Sequence, residues 1–457
     1  MPEGSNAGEP LLAILGGTVV DALGERRADV LVAGTAIVEV GEGLEVPTGA
    51  RRLDAEGCVV APGLVDLHAH LREPGFEESE TLETGARAAA LGGYTAVVAM
   101  PNTDPPVDGA AVVHHVRTLA AKATCRVEVA GCITAGRGGE RLAPMAEMAE
   151  VGVRIFTDDG AGVQDGDLMR RALEYARGLG VTLAQHCEDA SLAAGGHMHE
   201  GSWSSRLGVP GIPAAAEEAM VARDIALARL TGGRLHLLHV SSAGSLGLVA
   251  AAKAEGIALS AEVAPHHLAL SDAALAGFDP VFKVNPPLRS PRHVLALREA
   301  CASGLVDAIA TDHAPHPPEA KDLPLEHAAF GMLGLQTALP VAIGALCRGL
   351  PAFGTAPDDH AGPSHMSLAN LLGLLSWGPA RIAGIALDQG GDQGGPLVAG
   401  GPANICVIDP GATWTVDPAQ LASRSSNTPY AGWELQGALR HTVFRGEPVV
   451  VDGQAQR

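Results

Sequence analysis

An α/β fold is predicted, a (β/α)8 TIM barrel carrying a small β-sandwich domain built from both chain ends. Three observations predict it. Between residues 61 and 384, eight short apolar runs each stop at a polar residue and lead into an Ala-, Leu- and Arg-rich helical stretch. Buried parallel strands read as near-continuous apolar runs, and eight βα units close a barrel. The ends, 1–60 and 385–457, carry short β-rich runs separated by Gly and charged turns. Each end is too short for a sandwich of its own, so the two are expected to pair.

The N-terminal runs, from Leu11 to Val60, are LLAILGGTVV, ADVLVAG, AIVEVGEG and CVVAPG. The barrel runs follow: GLVDL before His68, YTAVVAM before Asn102, RVEVAG before Cys132 and VRIF before Asp159. VTLA before His186, LHLL before His239, ALSAEV before His266 and VDAIA before Asp312 complete the eight. The tail from Ala403 returns to the β style with NICVIDP, TWTV, HTVFRG and EPVVVDG. Two stretches break the rhythm: a Pro-rich loop at 316–331, placed to cover the barrel mouth, and a Gly/Pro-rich insertion at 350–366.

Composition narrows the function. Of 457 residues, 52 are acidic and 31 are Lys or Arg, a net charge of -21. Nucleic acid and anionic membrane surfaces, which need a basic footprint, are therefore excluded as partners. No apolar run approaches the roughly 18 to 20 residues that cross a bilayer. The opening MPEGSNAGEP has no basic region followed by an apolar stretch, so a cytoplasmic protein is expected. Seven scattered Cys with no C-x-x-C read as buried or idle thiols. His is abundant at 18, whereas Lys is limited to Lys122, Lys253, Lys283 and Lys321.

In a TIM barrel the chemistry sits where the strands end, so the polar residues after the eight runs should converge on one mouth. His68 and His70, in VDLHAHLREPG, are two apart on an extended chain and face one side, where both can reach one metal. His-x-His also arises by composition alone. A second pair, His197 and His199, has no strand before it and reads as a loop feature. Asp159, His186, His239 and Asp312 each follow a further strand. Singly, each reads as a helix cap or a hydrogen-bonded core residue. Four His and two Asp at the ends of five strands instead suit two borderline cations, zinc first, sharing a carboxylate.

The tracts HLREPG, MPNT, FTDDG, AQHCED, HVSSAGS, NPPLR and TDHAPH resemble those of the bacterial type I dihydroorotases, within the metal-dependent amidohydrolase superfamily. The resemblance runs from about Leu11 to the tail. It implies cyclisation of N-carbamoyl-L-aspartate to L-dihydroorotate with two zinc ions, in pyrimidine synthesis. His68, His70 and Asp312 would hold one ion, His186 and His239 the other, and Asp159 would bridge. Arg72, Asn102 and His316 match positions that bind the substrate carboxylate. Asn285 and the backbone at Phe330 and Gly331 match further substrate contacts, with His70 also reaching substrate. Asp312 would move the proton between nucleophile and leaving nitrogen.

Many superfamily members bridge their metals with a carbamylated Lys after the fourth strand. No Lys lies between 123 and 252, which excludes that bridge here. Asp158 and Asp159 both follow the strand, and the resemblance selects the second. Arg72 has a surface alternative, pairing with Glu73 or Glu77. His266 and His267 fall outside the ligand set and read as supporting or packing residues. Rival functions are a hydantoinase or allantoinase, and an inactive subunit that supports an aspartate carbamoyltransferase. An active enzyme could also associate with that transferase or form a homo-oligomer, and no interface is legible.

Overall fold

The computed structural model describes residues 11–354 and 366–457, so most of the 350–366 insertion lies outside the described residues. The eight expected barrel strands all form: β1 (Leu64–Ala69), β2 (Tyr94–Ala99), β3 (Arg126–Val129), β4 (Ile155–Phe156), β5 (Thr182–Gln185), β6 (Arg234–Leu237), β7 (Leu259–Val263) and β8 (Ala308–Ile309). Each pairs in parallel with its sequence neighbour. Parallel bridges between Gly131 and Phe156, and between Ala69 and His313, join β3 to β4 and β8 back to β1. The sheet is therefore a closed TIM barrel, as predicted.

Alternation along the strands divides the apolar residues into two cores. Val65, Leu67, Ala96, Val98, Ile155 and Ala184 fill the barrel interior. Val97, Ala99, Phe156 and Leu183 point outward against the helices. The helix Gly166–Leu179 shows how that outer layer forms. The Asp165 side chain accepts from the Leu168 N–H at its start, and Gly180 ends it in the left-handed conformation. Met169, Ala172, Leu173 and Ala176, at helical spacing, are its buried stripe. No described helix is long and apolar enough to cross a membrane.

The two chain ends share one sheet. Val59–Pro62 pairs with Ile405–Thr415, which pairs with Glu434–Phe444. A facing four-stranded sheet comes entirely from residues 11–54. Leu12, Ile14, Val30 and Leu53 pack with Ile405, Val407 and Val443 in the core between them. All seven Cys are free, and all but the half-buried Cys347 are buried. Ile405 is fully buried where the ends meet. Ile405→Ala is expected to cost about 2–5 kcal/mol of stability by denaturant unfolding; a change within about 0.5 kcal/mol, the size of a surface effect, would mean the ends do not share a core.

Candidate metal centre and substrate pocket

His68 and His70 leave the end of β1 with their ring centroids 5.2 Å apart. Both Nε2 atoms face the same Asp159 oxygen, Oδ2, at 3.4 and 3.5 Å. The other oxygen, Oδ1, faces His239 Nε2 at 3.5 Å and His186 Nδ1 at 3.7 Å. Two groups of potential ligand atoms, His68/His70/Asp159 and Asp159/His186/His239, therefore share one carboxylate. Asp312 Oδ1 completes the first side, 3.6 Å from His68 Nε2 and 3.4 Å from His70 Nε2. The structure thus brings all six expected ligands together. Asp158 points elsewhere: its carboxylate accepts from the N–H groups of Ile133 and Thr134 and from the Thr134 hydroxyl, tying β4 to the loop after β3.

The donor set fits cations. Buried polar atoms normally have partners, yet of the atoms that face one another here His68 Nε2 and Asp159 Oδ1 have no hydrogen-bond partner, and His186 Nδ1 and His239 Nε2 lie 3.0 Å from each other. Their neighbours also orient the rings. Glu262 Oε1 stands 3.1 Å from His68 Nδ1, and Asn102 Oδ1 stands 2.9 Å from His70 Nδ1. With a proton on each Nδ1, both Nε2 lone pairs point at the carboxylates. Protons take up part of the cations' work in the metal-free protein. Burial disfavours charge on His68 and His186, but Asp159 and its neighbouring acids outweigh it, raising His186 to about 9 and His68 well above the usual range. Burial likewise opposes the Asp159 anion, and the surrounding imidazoles nonetheless hold its carboxyl well below the usual range.

Strain concentrates here. Of the seven described non-Gly residues with positive φ, Arg72, His239 and Asp312 line the site and Arg137 donates to the Asp159 carbonyl. Such conformations cost of order 1–3 kcal/mol each and persist where surrounding structure imposes them. For Arg72 the result is a side chain turned into the pocket, its Nε donating to the Pro315 carbonyl at 3.2 Å. The surface alternative is not realised: Glu73 accepts from the Leu82 N–H and Glu77 from the Gly75 N–H. Arg72 has no ion pair among the described residues, and burial lowers its guanidinium to about 10. Burial and the Arg72 charge together lower His316 to about 3, so it is neutral at pH 7.

A cavity of about 210 Å³ holds all seven expected substrate contacts, His70, Arg72, Asn102, Asn285, His316, Phe330 and Gly331, together with Asp159 and Asp312. Its size suits a molecule smaller than a drug-sized ligand. A larger cavity of about 450 Å³, at the opposite strand ends beside Arg154 and Arg234, contains none of these groups. The 316–331 segment forms one wall. There the Gly331 N–H is already committed to the Lys283 carbonyl and the Phe330 carbonyl to His316 Nε2, while the Phe330 N–H has no partner among the described residues. Gly331 has φ +132°, and a Cβ there would lie 2.6 Å from that of Ala314, so only glycine fits.

Three contributors escaped sequence reasoning. Glu262, with His236 Nε2 at 2.9 Å on its other oxygen, backs His68; its signal was a charge inside the apolar run ALSAEV. Arg137, in a loop, gave no signal. Neither did Asn427, which reaches in from the C-terminal region: its Oδ1 accepts from the His316 N–H and its Nδ2 donates to the carbonyls of Ala314 and Gly331. His266, buried, lies 4.0 Å from Asp312, and His267 contacts the Pro286 carbonyl. His199 is not a loose loop residue, because it is buried against Arg289.

A TIM barrel with paired histidines sharing one aspartate at its strand ends defines a metal-dependent amidohydrolase. Solved relatives share the fold: L-hydantoinase from Arthrobacter aurescens superposes with a TM-score of 0.85 at 24% identity, covering 98% of this chain and 97% of its own. Sequence is more specific. The family model described as Dihydro-orotase-like matches residues 57–245. Curated dihydroorotases from Pelotomaculum thermopropionicum (46% identical, 96% of this chain and 99% of that one) and Streptomyces coelicolor (46%, 94% and 97%) match along nearly the full length. The chain belongs to the dihydroorotase family.

Two outcomes follow for the metal centre. Asp159→Ala should abolish activity and lose bound metal, whereas Asp158→Ala should retain metal; elemental analysis of the purified variants decides, and the inverse order refutes the bridge. Metal must also displace the His186 proton, which is present below about 9 in the metal-free protein. Apparent zinc affinity, measured against a chelator and corrected for the chelator's own titration, should rise with pH from 7 towards 9. A flat profile would contradict this.

Proposed function

We propose that this protein is a dihydroorotase interconverting N-carbamoyl-L-aspartate and L-dihydroorotate, the third step of pyrimidine synthesis, with two zinc ions bridged by Asp159. The observation that carries this reading is the joining, in one small cavity, of the shared-carboxylate cluster with the Arg72 guanidinium, which has no acidic partner among the described residues. His68, His70 and Asp312 would hold one ion, His186 and His239 the other. Bound there, the ions would acidify water and polarise a carbonyl. Residues 61–384 are the catalytic unit in this reading, with 1–60 and 385–457 forming the second domain.

The chain's own residues do the rest. Arg72 offers a bidentate fork to the substrate carboxylate, with Asn102 and His316 beside it. Asn285, held by Glu188 at 3.1 Å, and the free Phe330 N–H fix the opposite edge of the ring. Burial opposes the Asp312 anion, but His70, His68 and His239 hold its carboxyl below the usual range, so it is ionised. In hydrolysis Asp312 accepts a proton as water bonds to the ring carbonyl carbon. It returns that proton to nitrogen as the C–N bond breaks. Cyclisation reverses the order.

A hydantoinase-type substrate is the nearest rival, since the fold is common to both. Against it stand the absent lysine between 123 and 252 and the Arg72, Asn102 and His316 group. An inactive subunit would be expected to lack ligands, and all six are clustered here. The net charge of -21 supports a small-molecule substrate in place of nucleic acid or an anionic membrane surface. The test is hydrolysis of L-dihydroorotate followed in the ultraviolet, with metal determined on the same sample. Turnover with two zinc ions per chain is expected; no turnover with two ions bound refutes the assignment. Arg72→Lys should raise KM at least about tenfold with metal retained, and an unchanged KM removes Arg72 as the carboxylate clamp.

A further inference from the structure

Two of the four lysines, Lys283 and Lys321, are buried beneath the pocket wall, 1% and 7% exposed. Neither has an acidic partner within ion-pair distance among the described residues. Their partners are main-chain carbonyls. Lys283 Nζ donates to Leu325 O at 2.6 Å, Ala328 O at 2.8 Å and Glu326 O at 3.2 Å, and lies 4.3 Å from the centre of the Phe330 ring. Lys321 Nζ donates to Ala329 O at 2.8 Å, Gly331 O at 2.9 Å and Lys283 O at 3.2 Å. Each Nζ thus faces three carbonyls, the number that the N–H groups of an ammonium satisfy, and burial beside Lys283 lowers Lys321 to about 7.

The wall is built around these cations. Between 325 and 331 the carbonyls of Leu325, Glu326, Ala328, Ala329 and Gly331 all turn inward to the two ammoniums, and that of Phe330 turns to His316. The segment forms neither helix nor strand, so no ladder of its own would hold carbonyl dipoles that converge in this way. From the other side, Asn427 Nδ2 donates to the same Gly331 carbonyl. The Lys283 carbonyl, in turn, receives the Gly331 N–H and links the wall to Asn285, two residues along.

We propose that Lys283, Lys321 and Asn427 are positioning residues that set the 325–331 wall, and with it Phe330, Gly331 and His316, at the distance from the metal cluster that substrate requires. They act through the main chain and contact neither substrate nor metal. The effect on catalysis rests on the dihydroorotase reading; the effect on the wall does not.

The test uses the full-length, metal-loaded protein with Lys283→Met, Lys321→Met and both together, which keep the apolar stems and remove the donors. Wild type and variants are compared for zinc content, for KM and kcat with L-dihydroorotate, and for amide hydrogen exchange. Each single variant should raise KM at least about tenfold while kcat stays within about threefold, and the double variant should be no worse than the weaker single. Exchange should accelerate at 325–331 and not in the barrel strands. A KM within about twofold of wild type overturns the role in substrate binding. Unchanged exchange at 325–331 overturns the clamp itself, even if wild type fails to turn over dihydroorotate, an outcome that would sink the functional reading separately. Should the Met variants not fold, Asn427→Ala, which removes one of the two donors to the Gly331 carbonyl and frees the His316 N–H without touching a buried lysine, must show the same KM rise and local exchange, or the proposal fails.

Discussion

Everything in the mouth of this barrel depends on one shared carboxylate. Asp159 turns one oxygen to His68 and His70 and the other to His186 and His239. Four imidazoles around one buried anion is an arrangement the interior tolerates only when charge and hydrogen bonds are balanced. Much of the surrounding structure supplies that balance. Glu262 and Asn102 fix the outer ring nitrogens, Arg137 holds the Asp159 carbonyl, and the closed β sheet fixes the strands that carry the ligands. The positive φ values of His239 and Asp312 are consequences of the same demand, since both side chains must leave their strand ends towards one point.

The substrate side answers a different constraint. A chain of charge -21 repels an anion at long range, so an anionic substrate must be captured by local positive groups inside the cavity. Arg72, the residue proposed for this, reaches the cavity because it follows His70 by two residues, and neighbouring acids spend their lone pairs on backbone N–H groups instead of on its guanidinium. The opposite wall is irregular chain whose carbonyls wrap buried lysines. The pocket therefore joins a face of clustered histidines and aspartates, set by strand ends, to a face held by buried lysines.

Legibility in the sequence followed the range of the interactions. The eight strands, the first His pair and the four later strand-end His and Asp residues could be read because each is announced locally, by an apolar run that stops at a polar residue. Arg72 was readable from its spacing to His70. Glu262 left only a weak trace, one charge in an apolar run. Asn427 left none, as its role depends on a C-terminal loop folding back across the barrel mouth to reach His316 and Gly331.

The sequence by itself determined the barrel, the His and Asp that gather at its mouth and the lack of a lysine among them, because periodicity and the absence of Lys between 123 and 252 are local facts. Between Asp158 and Asp159, which only the family resemblance separates in the sequence, tertiary structure shows which carboxylate lies among the histidines. Adjacent residues on one strand end point to opposite sides, and only closure of the sheet shows which side faces the histidines and which faces Thr134. It alone also gave the two scarce lysines of the wall their place, since the carbonyls that hold them belong to chain with no periodicity to read.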